Sequence, residues 1–171
     1  MIFTAILTLV GAPTAFVSAQ DTDFSGSWTL DRDASDIPQG RGGRGGGGGR
    51  GGRGGFGARP ADTLVITQSV STLTIQQSGD DRSQTVEYAL DGSETTIEQG
   101  PGGVLTVTAT WDGGTFVISG SQELETPRGN FAITLNELRT LSADGQTLVI
   151  ESTRGAPRGE GTMTLVCRKT T

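Results

Sequence analysis

The stretch LTVTATWDGGTFVI, residues Leu105 to Ile118, decides the fold. Leu105, Val107, Ala109 and Trp111 alternate with threonines, and Phe116 and Ile118 repeat the alternation beyond Asp112-Gly113. A two-residue period puts every apolar side chain on one face of a strand and every threonine on the other. Asp-Gly between two such runs supplies the positive φ angles of a tight turn, so the stretch reads as an antiparallel hairpin with one dry face.

The same grammar extends in both directions. Upstream lie Leu64 and Ile66, then Leu73 and Ile75, then Val86, Tyr88 and Leu90. Downstream lie Phe131, Ile133 and Leu135, then Leu148 and Ile150, and last Met163, Leu165 and Cys167. Asp91-Gly92 and Asp144-Gly145 mark two more hairpins. No stretch carries a helical period of any length. Leu135 and Leu138 differ in parity, which predicts a bulge near Asn136-Glu137. The expected fold is all-β, an antiparallel up-and-down meander of about ten strands. Such a meander closes most economically as a barrel, because closure removes exposed edges. A two-sheet sandwich is the alternative.

Around this body the chain has two unusual segments. Residues 1–10 are almost wholly apolar, Gly11 and Pro13 interrupt them, and Val17-Ser18-Ala19 has the small residues of a signal-peptidase site. Residues 1–19 are therefore expected to be a signal peptide, and the product to be secreted or periplasmic. The apolar run is too short for a membrane span, so no transmembrane segment is expected after cleavage. The remainder, residues 20–171, is long enough for one domain.

The second segment, residues 40–57, reads GRGGRGGGGGRGGRGGFG. Glycine at this density has little to bury and much backbone entropy to lose, so a disordered loop is expected over 38–61. Its free ends would lie on the order of 25 Å apart. Arg41, Arg44, Arg50, Arg53 and Arg59 make it wholly basic, whereas the rest of the chain carries 8 basic residues against 19 acidic ones. An anionic partner, such as a cell-envelope polymer, is the contact this loop could make. The repeats resemble the RGG boxes of RNA-binding proteins. The acidic body, the export signal and the lack of interleaved aromatics argue against nucleic acid.

Catalytic chemistry finds few candidates. The chain has no histidine and one cysteine, which removes the commonest general base and the usual zinc ligands. Cys167 lies on an apolar face and reads as a buried small hydrophobe. Glu123 with Glu125, and Glu94 with Glu98, share strand faces in the manner of solvated alternation. Asp31-x-Asp33-x-Ser35 has oxygen ligands at short spacing but lacks a calcium loop's glycine and distal glutamate, and reads as a turn. The glycine tract lacks the Gly-Lys-Ser/Thr of a phosphate loop. Neither an enzyme, a cofactor nor a metal is expected.

Phe24-Ser25-Gly26-Ser27-Trp28-Thr29-Leu30 has the form F-x-G-x-W-x-L. It resembles the first strand of the calycin superfamily, which includes lipocalins and fatty-acid-binding proteins. The resemblance implies that Phe24, Gly26 and Trp28 pack at the closed end of a barrel, and that the glycine tract lies where such barrels carry a lid. Thr164 to Lys169 resembles the Cys-x-Arg-x-Tyr ending of fatty-acid-binding proteins, with Lys169 at the arginine and Thr171 where the tyrosine belongs. The implied function is the holding of an apolar or amphipathic small molecule inside the barrel. Tyr88, Trp111, Phe116 and Phe131 are the aromatic candidates for its lining, and Lys169 the cation.

Overall fold

The computed structural model describes residues 22–38, 60–79, 82–98, 103–126, 129–157 and 159–170. The signal peptide expected over 1–19 and the loop arginines Arg41, Arg44, Arg50, Arg53 and Arg59 lie outside the described residues, as does most of the loop expected over 38–61. Ten strands follow one another: β1 (Gly26–Leu30), β2 (Thr63–Gln68), β3 (Thr72–Gly79), β4 (Arg82–Ala89), β5 (Glu94–Glu98), β6 (Val104–Asp112), β7 (Thr115–Thr126), β8 (Gly129–Leu141), β9 (Thr147–Ala156) and β10 (Gly159–Thr170).

They form one antiparallel sheet in the order β4-β3-β2-β1-β10-β9-β8-β7-β6-β5. Every neighbour is consecutive in sequence except β1 and β10, and that pairing turns the meander back on itself. The ladder is continuous, so the sandwich alternative does not apply. The terminal strands of the sheet, β4 and β5, face each other without a ladder. Gln84 reaches across this opening and donates from Nε2 to the carbonyl of Glu98 at 3.4 Å. A cleft of about 470 Å³ lies there, with Val86 and Ile97 among its lining residues.

Alternation delivers the core as expected. Leu64, Ile66, Leu73, Ile75, Val86, Tyr88, Leu105, Val107, Ala109, Phe116, Ile118, Leu148, Ile150 and Cys167 are all buried inside the barrel. The three Asp-Gly pairs turn as expected, with φ of 81° at Gly92, 58° at Gly113 and 68° at Gly145. Curvature needs a further glycine. A Cβ at Gly120 would stand 2.2 Å from the carbonyl oxygen of Thr106, so β7 can approach β6 this closely only with no side chain there.

The bulge near Asn136-Glu137 is absent. Strand β8 runs without interruption, with Asn136 opposite Ser119, Glu137 opposite Ile118 and Leu138 opposite Val117. Leu138 takes the outer face beside Val117, and regular pairing carries Glu137 and Arg139 inward instead. The physical reason is that the ladder with β7 and β9 is kept on both sides, and a bulge would have broken two sets of hydrogen bonds.

An up-and-down meander gives the barrel two unlike ends. The segment before β1 and the β2–β3, β4–β5, β6–β7 and β8–β9 hairpins share one end. The β1–β2 connection and the remaining hairpins share the other. Asp31-x-Asp33-x-Ser35 forms a turn at that second end: Ser35 Oγ donates to Asp31 O at 2.6 Å and accepts from Val166 N at 2.9 Å. An isolated bridge between Asp36 and Thr164 ties the same turn to β10.

Candidate ligand-binding interior

The first end is plugged by aromatic rings. Phe24 and Trp28 are fully buried, and Trp28 Nε1 donates to Phe24 O at 3.0 Å, so the indole's one polar atom is satisfied. Phe24 stacks on Trp111 with centroids 5.4 Å apart. Trp111 lies 5.1 Å from Phe116, and Tyr88 meets Phe116 edge-on at 6.1 Å. Gln68 holds the entering chain, accepting from Phe24 N and donating to Thr22 O, both at 3.1 Å.

Gly26 and Lys169 explain each other. Gly26 has φ of 140°, and a Cβ on it would meet Lys169 Cε at 2.8 Å. The glycine leaves room for Lys169 to place its ammonium 5.2 Å from the Trp28 ring centroid, a cation–π contact. Phe24, Gly26 and Trp28 thus lie together at this end of the barrel.

Of the residues read from the sequence as barrel lining, Tyr88, Trp111 and Phe116 come together in this plug, with Lys169 at its edge. Phe131 does not join them. It pairs with Leu124 near the start of β8, at the opposite end of the barrel. Around it the inward positions are only half-buried: Leu124, Phe131, Ile133, Leu135 and Met163 form a largely apolar mouth, with Gln122 and Arg154 at inward positions among them.

Between mouth and plug lies a polar pair absent from the sequence reading. Arg139 stands opposite Phe116 on β7 and Ile150 on β9, with only 4% of its surface exposed. Its Nε and Nη2 both donate to Glu137 Oε1, at 2.6 and 2.5 Å. Burial works against the guanidinium's charge, but Glu137 and Tyr88 outweigh it and hold the pKa above its ordinary value. Burial also pushes the Tyr88 phenol up to about 12 and the Cys167 thiol up to about 11, with Arg139 pulling each the other way. Arg139 thus has its electrostatic neighbours on β4 and β10 as well as on its own strand.

One guanidinium nitrogen is left over from this pair. Among the described residues, buried Arg139 Nη1 has no hydrogen-bond partner, and neither has Trp111 Nε1 on the other flank of Phe116. Unmatched buried donors are rare in folded proteins, because each costs the desolvation of a polar group. The sequence did contain a signal for the pair. Period two, carried on from Phe131, Ile133 and Leu135, puts Glu137 and Arg139 on the inner face.

The remaining charged candidates behave as exposed features. Glu94, Glu98, Glu123 and Glu125 are on the outer surface. Arg168 points away from the interior, to Asp31 Oδ2 at 3.1 Å and Thr147 Oγ1 at 2.8 Å. Cys167 is buried, as its apolar face implied.

No protein-family model matches the chain, and no curated protein does. Among solved structures, human cRBP IV is similar over 87% of this chain and 99% of its own, at 15% identity and a TM-score of 0.51. Zebrafish ileal bile acid-binding protein complexed with cholic acid is similar over 63% of this chain and 72% of its own, at 18% identity and a TM-score of 0.45. The fold is like that of human cRBP IV: ten antiparallel strands in a meander that forms a nearly closed barrel. At this identity the likeness speaks for the fold, and the ligand has to be argued from the interior itself.

Proposed function

We propose that the protein is a passive carrier that takes an apolar or amphipathic small molecule through the half-buried apolar mouth and seats its polar atom on Arg139. The observation that carries this reading is the unmatched Nη1 of a buried arginine, standing between the mouth and an aromatic floor. A side chain with five donors and two of its nitrogens already spent on Glu137 still asks for an acceptor. An apolar lining with a few convergent polar groups is the usual composition of a small-molecule site. Barrels of eight or more strands have interiors wide enough for one small ligand. The β4–β5 opening offers the ligand a side route through the wall. Residues 1–19 support export, so the carrier would work outside the cytoplasm. The arginines of residues 40–57 support a contact with an anionic envelope polymer that would keep it there.

Native mass spectrometry of the protein purified gently from its own source tests the carrier reading. The expected result is an added small-molecule mass that disappears on denaturation. A bare protein mass, together with no binding of dodecan-1-ol or methyl dodecanoate to the purified chain, overturns it.

A further inference from the structure

The chemistry of the seat on Arg139 restricts the ligand more narrowly than "amphipathic". The buried side-chain nitrogens and oxygens without a partner among the described residues are Arg139 Nη1 and Trp111 Nε1, and both can only donate. A molecule entering the interior therefore meets spare donors there, which suit an acceptor.

The charge of that acceptor follows from the groups around it. Glu137 already neutralises Arg139 on the same strand. Tyr88 from β4 and Cys167 from β10 face Arg139 and stay neutral at physiological pH, their pKa values pushed up to about 12 and about 11. Phe116 from β7, and Ile150 and the buried Ser152 from β9, lie opposite the pair and carry no charge. Lys169 is at the closed end over Trp28, and Arg154, nearer the mouth on β9, is itself engaged. The seat is consequently a buried neutral ion pair with a spare donor. An ionised carboxylate placed there would add an unbalanced negative charge to an apolar interior, and burying such a charge costs more than one further hydrogen bond returns. An uncharged oxygen satisfies the same N–H at no such cost.

We infer that the atom seated on Arg139 Nη1 belongs to an uncharged acceptor group, such as an ester, ketone, aldehyde or alcohol oxygen, and that the barrel selects against the ionised acid of the same skeleton. This rests on the carrier reading proposed above and says which ligands the carrier takes.

The test displaces Nile red, a neutral apolar dye, from the purified full chain at pH 8 with four matched ligands. These are methyl dodecanoate, dodecan-1-ol, dodecanoic acid and dodecane. At that pH a free carboxyl group is ionised. The ester and alcohol are expected to compete about tenfold better than the acid, and better than the bare hydrocarbon, as one matched hydrogen bond in a dry site implies. An acid that competes as well as the ester or better overturns the inference and leaves the carrier standing. If none of the four competes, the carrier reading fails as well.

Two variants separate recognition from folding. Glu137→Gln removes the counter-charge and is expected to raise the acid to at least parity with the ester. The double substitution Arg139→Met with Glu137→Leu replaces the pair by apolar side chains, an exchange that buried ion pairs often tolerate. It should bind dodecane as the natural chain does but lose the preference of the ester over dodecane. An unchanged preference in the double variant overturns the assignment to Arg139, whether or not the single variant folds.

Discussion

The two ends of this barrel are built from the same alternating strands and have opposite physical characters. At one end Phe24, Trp28, Trp111, Phe116 and Tyr88 interlock, and the buried Trp28 has its indole nitrogen bonded. At the other end Leu124, Phe131, Ile133 and Met163 turn inward yet are only half-buried. Interior packing at native density stabilises a domain, while incompletely buried apolar surface marks a place where something else is meant to sit. Stability and binding are thus divided along the barrel axis, and the Arg139–Glu137 pair lies where the two regions meet.

The largest effect expected from this division is at the plug. Trp28→Ala should lower the unfolding free energy by about 3–5 kcal/mol, the usual cost of truncating a buried large aromatic. Denaturant titration measures it. A loss comparable to that of a rim substitution would mean that the plug is not where stability resides.

Tyr88 gives the next largest effect, read without any mutation. It is the only tyrosine in the chain, so tyrosinate absorbance reports a single site. Burial raises its folded pKa to about 12, against about 10 for an exposed phenol. A group whose folded pKa is raised contributes stability that is complete below the unfolded value and is lost as pH climbs through the folded one. Between pH 10 and 12 roughly 2–3 kcal/mol of stability should therefore disappear. A phenol that titrates near 10 in the folded protein would show that water reaches this floor.

Phe131→Ala should cost only about 1–2 kcal/mol, because its ring is half-buried and truncation removes less surface from a dry environment. The same substitution should weaken dodecan-1-ol binding. If it destabilises as much as Trp28→Ala, the mouth is core and the proposed division fails.

Much of this was legible in the amino-acid order, and unevenly so. Strict alternation and the Asp-Gly pairs write a hairpin meander directly, and Phe24-x-Gly26-x-Trp28 marks the plugged end. The site was harder because it depends on one parity choice. Leu138 competes with Arg139 for the inner face on hydrophobicity alone, and a rule that buries leucine before arginine inserts a bulge to do so. The ladder decided otherwise: keeping β8 paired on both edges, with Glu137 beside it as counter-charge, makes the buried arginine tolerable. Phe131 was grouped with the other aromatics as lining, although its place early in β8 already puts it away from the β8–β9 hairpin. The opening between β4 and β5 leaves no mark on alternation, since both strands alternate normally and lack only a neighbour.

The smallest effect tests whether the plugged end also has well-set turns, which the comparison requires of the region that carries stability. At the β8–β9 hairpin Asp144 accepts from Ser142 Oγ at 2.5 Å and from Gln146 N at 3.0 Å, while Gly145 supplies the positive φ. These bonds, the Ser142 hydroxyl first, hold the Asp144 pKa below its ordinary value of 3.8. A depressed carboxylate contributes stability above its unfolded pKa, and the contribution is lost as pH falls through the folded value. Asp144→Asn keeps an acceptor of the same shape and removes only the charge. Its thermal midpoint should lie slightly below that of the natural chain at pH 7, and the two should converge as pH drops below about 3.8, where the unfolded carboxylate takes up its proton. A difference that persists unchanged at pH 2.5 would assign the effect to the shape of the turn and not to the charge of Asp144.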